Sequence, residues 1–242
     1  MSEPPTDPIK HDAAALLDLI HARQSLRVPF DPDRPIPREQ LDLILEAARW
    51  SPSAHNMQNF EIVVVDDPGL LREIAAIKRP VSETFVRENY VQLSFSEEEL
   101  LERKTGILAT RFPQAWRKPD FRLGQFTNDE LATMTRPLPP APVLLVVVYD
   151  PSRRAPASEG DFLGIVSLGC LMENMWLAAT SQGVGLHIVS SLGDGDQLRR
   201  LLGIPDELVI AFSCRLGYPQ SVPPEYLRVR RDIEDFTHRN GF

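Results

Sequence analysis

Val143-Leu-Leu-Val-Val-Val-Tyr149 has no polar face at all, so it cannot be a half-wet strand that alternates between core and solvent. It predicts a central strand with helices packed on both sides. Working outward, Pro137-Leu-Pro-Pro-Ala-Pro142 cannot continue a helix or a sheet and closes whatever precedes the strand. Downstream, a helix predicted from about Phe162 to Gln182 is apolar almost all round, with Trp176 among Leu, Met and Ala. One protomer of this size can hardly cover such a helix, so it is expected to reach a subunit interface as well as the core. Gly183-Val-Gly185 ends it, and a strand is predicted over 186–190. The turn Ser191-Leu-Gly-Asp194, a helix over 197–202 and a last central strand over 208–216 follow.

Upstream, Leu41, Ile44, Leu45 and Ala48 recur at helical spacing from Arg38 to about Trp50, and Ile62 to Val65 reads as a buried strand. Between them lies Ser51-Pro-Ser-Ala-His-Asn-Met-Gln-Asn-Phe60. Pro52 stops the helix, and Ser53, His55, Asn56 and Gln58 offer donors and acceptors suited to a flat heteroaromatic ring or a sugar-like chain. An earlier helix over 12–24 is capped by Asp12, with Leu16, Leu17, Leu19 and Ile20 expected to pack. It must end before Pro29. If the chain is extended there, Arg23, Ser25 and Arg27 share one face and can anchor a phosphate monoester.

Leu70 to Ile77 reads as a short helix, and residues 79–140 become irregular. Glu97 to Leu108 is predicted helical. Around it Phe95, Phe112, Trp116, Phe121 and Phe126 are scattered among arginines and lysines, too aromatic for a disordered linker. The segment is expected to be a lid facing a substrate, with His55, Trp116, Phe121 and Phe126 lining the pocket.

The 242 residues carry a formal net charge of -8, which argues against nucleic acid as the main partner. No membrane-spanning run is expected. Cys170 and Cys214 have no metal or redox spacing, which fits free thiols in a reducing cytoplasm. Residues 1–10 read as a disordered lead, 219–242 as a C-terminal extension, and the whole as a single domain.

Four pieces together resemble the nitroreductase family of flavin-dependent oxidoreductases: Arg23-Gln-Ser-Leu-Arg27, Pro52-Ser-Ala-His-Asn-Met-Gln58, Leu177 to Gly185, and Leu216-Gly-Tyr-Pro219 with its basic tail. The resemblance implies an α+β fold, a mixed and mostly antiparallel central sheet flanked by helices, and an intertwined homodimer holding FMN at the subunit interface. Carried over by position, Arg23, Gln24, Ser25 and Arg27 would bind the FMN phosphate and flavin edge. Arg228 with Arg230, or with Arg231 in its place, would complete the phosphate site. Pro52, Ser53, Ala54, Asn56 and Gln58 would come from the other subunit, and Ser190, Ser191, Leu192 and Gly193 would face the isoalloxazine. Asn59 and Phe60 depart from the proline and tryptophan usual after the glutamine.

The activity implied is ping-pong hydride transfer from NADH or NADPH through FMN to a small electron-poor acceptor such as a nitroaromatic, quinone or enone. No side-chain acid or base is named, because the chemistry belongs to the flavin. Reductive dehalogenation, or consumption of flavin with oxygen, is the alternative on the same fold. A non-catalytic flavin-binding or sensing protein is the alternative of another class.

Overall fold

The computed structural model describes residues 12–79, 81–86, 88, 93–109, 138–156, 160–190, 192, 195–223, 225 and 227–241. Two compact units divide the chain, one formed by Met1–Ile77 with Leu138–Pro223 and the other by Lys78–Pro137 with Pro224–Phe242.

The first unit holds a four-stranded sheet. Its strands are β1 (Phe60–Val65), β4 (Val143–Tyr149), β5 (Gly185–Val189) and β6 (Val209–Gly217), in the order β1-β4-β6-β5, each neighbouring pair antiparallel. β4 is interior and buried from Val143 to Val148, as its unbroken apolar run requires. Its pleat divides the core. Val143, Leu145 and Val147 point to α2 (Arg38–Arg49) and α6 (Phe162–Ser181), against Ile44, Ala48, Leu171 and Met175. Leu144, Val146 and Val148 point to α3 (Pro68–Ala76) and α7 (Gly195–Leu202), against Ile74 and Leu198. Antiparallel pairing with helices on both faces is the α+β arrangement expected.

Local chemistry sets several boundaries. Asp12 accepts from the backbone N–H groups of Ala14 and Ala15 at the start of α1 (Ala13–Ala22). Asp67 caps α3 by accepting from Leu70 N, with Pro68 in the first turn where its missing N–H costs nothing. The expectation for α1 fails in one respect. Leu16 and Leu17 are 53% and 52% exposed, and no residue of the helix is buried.

α6 differs from expectation in another way. No membrane-spanning run is expected, but its 20 residues, at mean hydropathy 1.5, are long and apolar enough to cross a membrane. Yet Leu171, Met175 and Ala179 are fully buried against the sheet and α2, which makes it the core helix of this unit.

The segment after α1 is fastened to the sheet end. Leu26 N donates to Leu186 O, Phe30 N to Pro140 O, and Asp31 N to Tyr218 O. Phe30 is fully buried over the paired glycines Gly185 and Gly217. A Cβ on Gly185 would lie 2.7 Å from Phe30 Cε1, and one on Gly217 2.7 Å from Phe30 Cβ. Two glycines facing each other across β5 and β6 thus make the slot that the ring fills.

In the second unit, α4 (Glu83–Val86) is followed by β2 (Ser94–Phe95), α5 (Glu97–Arg103) and β3 (Ile107–Leu108), with β2 and β3 parallel. Ser96 and Glu99 form a capping box at the start of α5. The helix expected over 97–108 stops at Arg103, because Lys104 turns left-handed at φ 54° and Gly106 follows at φ 104°. Ile107 N then donates to Leu93 O, so the backbone bonds a helix would have used go to a strand. Lys104 pairs with Asp232 of the C-terminal segment within this unit.

Candidate functional site

α6 arranges the two candidate binding segments of the first unit. Glu173 and Trp176, one turn apart, hold the exit of α1. The Arg23 Nε lies 3.0 Å from Glu173 Oε1, its guanidinium sits 4.6 Å over the Trp176 ring, and Trp176 Nε1 donates to Gln24 O at 3.3 Å. Ser167 and Asn174, seven residues apart and therefore on one face, hold the turn after α2. Asn174 Nδ2 donates to Ser51 Oγ at 3.0 Å, and Ala54 N donates to Ser167 Oγ at 3.4 Å. Ser167 and Trp176 are nine residues apart, which places them about half a turn round the helix and ~14 Å along it. Within one protomer the arginine segment and the polar turn therefore grip opposite sides of α6.

Along the arginine segment, Leu26 faces the sheet, close enough that a Cβ on Gly185 would meet its Cδ1 at 2.8 Å. Alternation then turns Ser25 and Arg27 to the opposite side, Ser25 half-buried and Arg27 exposed. Arg215 of β6 fixes the following residues from below. It is completely buried; its Nη2 donates to Val28 O at 3.3 Å, and its Nη1 to Pro139 O and Pro140 O at 3.0 and 3.1 Å. Nη2 also lies 2.8 Å from His187 Nδ1, so that nitrogen acts as an acceptor and His187, half-buried on β5, has a structural partner.

The polar turn is a strained loop. His55, Asn56 and Gln58 adopt φ of 50°, 54° and 44°, each costing roughly 1 kcal/mol or more for a residue with a Cβ. Internal bonds hold the shape: Gln58 N donates to Ser53 Oγ at 3.0 Å, and Gln58 Nε2 to Asn56 Oδ1 at 3.1 Å. Pro52, His55, Asn56 and Gln58 are exposed, while Ser53 and Ala54 are half-buried. Asn59, where the resemblance leads one to expect proline, is 2% exposed and ends the loop in the core. Its carbonyl accepts from Asp150 N at 2.9 Å, and its Oδ1 has no hydrogen-bond partner among the described residues.

Beside Asn59, Tyr149 donates its hydroxyl to Asp161 Oδ2 at 2.6 Å, just before α6. The bond to the carboxylate, with burial, pushes the Tyr149 hydroxyl up to about 12. The neutral phenol is therefore the form the fold prefers. Its contribution is complete below the ordinary tyrosine value near 10 and is lost as pH rises towards 12. Stability is expected to fall by about 1–2 kcal/mol across that window, after allowance for solvent screening, and Tyr149→Phe should flatten the fall. Urea midpoints at pH 9, 10.5 and 11.5 for both proteins measure this.

Ser190 is exposed at the end of β5. Leu192 buries its side chain in the cluster with Val65, Ile74 and Leu198, so only its backbone is available to a ligand. Ser191, Gly193, Trp116, Phe121 and Phe126 lie outside the described residues. Arg228 and Arg230 are exposed in the second unit, where Arg230 Nη1 donates to Val229 O. Arg231 stacks on Phe236. Of the two free cysteines, Cys170 is half-buried, and burial pushes the Cys214 thiol up to about 12, which makes it a poor nucleophile.

The profile of the Nitroreductase family matches residues 20–218, from the arginine segment to the end of β6. The chain belongs to the nitroreductase family. A provisionally named NADH dehydrogenase/NAD(P)H nitroreductase of Archaeoglobus fulgidus is 26% identical over 226 residues, covering 92% of this chain and 96% of that protein. An iodotyrosine deiodinase of Thermotoga neapolitana is 28% identical over 213 residues, covering 88% and 93%. Among solved structures, an iodotyrosine deiodinase bound to FMN and 3-iodo-L-tyrosine superposes with a TM-score of 0.57 at 26% identity, covering 92% of this chain and all of that one.

Against this nitroreductase background, the residues that sequence reasoning passed over are Ser167, Glu173 and Asn174 of α6, and Arg215. The signal was present. They are polar side chains inside otherwise apolar elements, and buried ones such as Ser167 and Arg215 persist in a core only when they hold something.

Proposed function

We propose that this nitroreductase-family protein is an FMN-dependent oxidoreductase that passes hydride from NADH or NADPH to a small electron-poor acceptor. The observation that carries the reading is the arginine segment at 23–27, pinned to the sheet by Leu26 and oriented by α6. Two guanidiniums and a hydroxyl there suit a phosphate group, and fixed donors of this kind bind a dianion even in an acidic chain. Bound FMN would supply hydride transfer at N5.

The chain's own residues have narrower tasks. Arg23 and Ser25 would hold the phosphate, Arg27 and Gln24 would face the flavin edge, and the backbone at Ser190 and Leu192 would meet the isoalloxazine. The turn at 52–58 grips the opposite side of α6 from Arg23, so it would serve the flavin of a second subunit. Exposed apolar side chains support that homodimer: Leu16 and Leu17 on α1, and Phe162, Ile165 and Val166 on α6 at 69%, 57% and 46% exposed. The cytoplasm, where nicotinamides are abundant, is the compartment this chemistry needs.

A second reading changes the acceptor only. Similarity to iodotyrosine deiodinase, in sequence and in a solved structure, supports reductive dehalogenation of a halophenol on the same fold.

The absorption spectrum of the purified protein, followed by anaerobic NADH and NADPH, tests the proposal. Flavin bands that bleach with either nicotinamide are expected, and reoxidation by a quinone, a nitroaromatic or a halophenol then ranks the acceptors. A colourless protein that gains no heat stability with added FMN would refute the assignment.

A further inference from the structure

Arg23 is more constrained than a surface arginine needs to be. It leaves α1 as its C-cap, with its N–H bonded to Leu19 O, and its side chain then turns back onto α6. There the Trp176 ring lies against the flat face of the guanidinium and Glu173 pairs with it as an ion 3.0 Å from Nε, out of line for a hydrogen bond, while Trp176 Nε1 fastens the Gln24 carbonyl beside it. Ring and carboxylate together restrict the plane and direction of the cation before a ligand arrives. A freely rotating arginine loses side-chain entropy when it takes an oxyanion, and a guanidinium already held in plane loses less.

We propose that Glu173 and Trp176 are positioning residues that pre-orient Arg23 for the phosphate of the flavin. The inference rests on the FMN reading above and adds two residues that touch no flavin themselves. It also predicts a counterintuitive sign. Glu173 is an anion near a site for a dianion, so on charge alone its removal should tighten phosphate binding. As an orienting group its removal weakens it.

The test uses the full-length protein stripped of flavin, with dissociation constants for FMN and for riboflavin, which lacks the phosphate. Glu173→Gln is expected to weaken FMN about tenfold while leaving riboflavin within twofold. Trp176→Phe keeps a ring under the guanidinium but loses the bond to Gln24 O, and should weaken FMN by about threefold. Unchanged or tighter FMN binding in Glu173→Gln overturns the proposal. So does an equal loss for both flavins, which marks a purely structural role. Arg23→Ala separates the two levels of the argument. If it does not alter the FMN-to-riboflavin ratio, the phosphate lies elsewhere and the underlying reading fails. If it collapses that ratio while Glu173→Gln does not, only the positioning role falls.

Discussion

Replacing Arg215 with methionine destabilises the protein by about 3–5 kcal/mol, the range found when one member of a buried charged network is removed. Arg215 has no exposed surface, and its fork serves three main-chain carbonyls and one imidazole nitrogen. Methionine fills similar volume but donates nothing. The acceptors of Val28, Pro139 and Pro140 would then lose charge-assisted bonds worth about 1.5–3 kcal/mol each before relaxation. Those carbonyls belong to two separate connections, one before Phe30 and one before β4, so the damage should spread. Flavin affinity falls too, because Val28 directly follows Arg27. Lysine is no substitute, since one ammonium cannot span the fork. Denaturant titration measures the effect, and a loss below about 1 kcal/mol would mean that water or a neighbouring group satisfies these carbonyls equally well.

The largest functional effect belongs to Arg23→Ala combined with Arg27→Ala, which should lower FMN affinity on the order of 10³-fold. Each guanidinium contributes charge-assisted bonds of about 1.5–3 kcal/mol to FMN, and 1.4 kcal/mol is tenfold. Neither residue belongs to the apolar core, so the double variant should fold with a thermal midpoint close to that of the flavin-free parent. Rising salt should weaken FMN binding by the parent more than by the variant, as screening requires. Full flavin occupancy in the double variant would place FMN away from both arginines.

How much of this was legible depends on the range of the interaction. β4 was readable from its own residues, because an apolar run with no wet face has one stable placement. The helices expected over 12–24, 38–50 and 70–77 were readable from spacing, with Asp12 as a cap, and the observed bounds differ by at most two residues. Leu16 and Leu17 show the limit of that reading: periodicity reveals an apolar face but not what covers it. The polar turn at 53–58 was legible as donors and acceptors. Its three left-handed residues were not, since none is glycine and nothing local asks for that backbone.

By itself the sequence determined the four strands of the central sheet and the helices packed on it, the family, and the residue types a phosphate and a flat ring would need. These follow from local rules, namely side-chain period, caps and breakers acting within a few residues. Only the tertiary structure decided that Glu173 and Trp176 orient Arg23, that Phe30 sits over Gly185 and Gly217, and that Arg215 reaches Val28 across 187 positions of chain. Such contacts join segments whose sequences carry no sign of one another. Their partners are selected by which groups the folded sheet brings within a few ångströms, and no local preference encodes that distance.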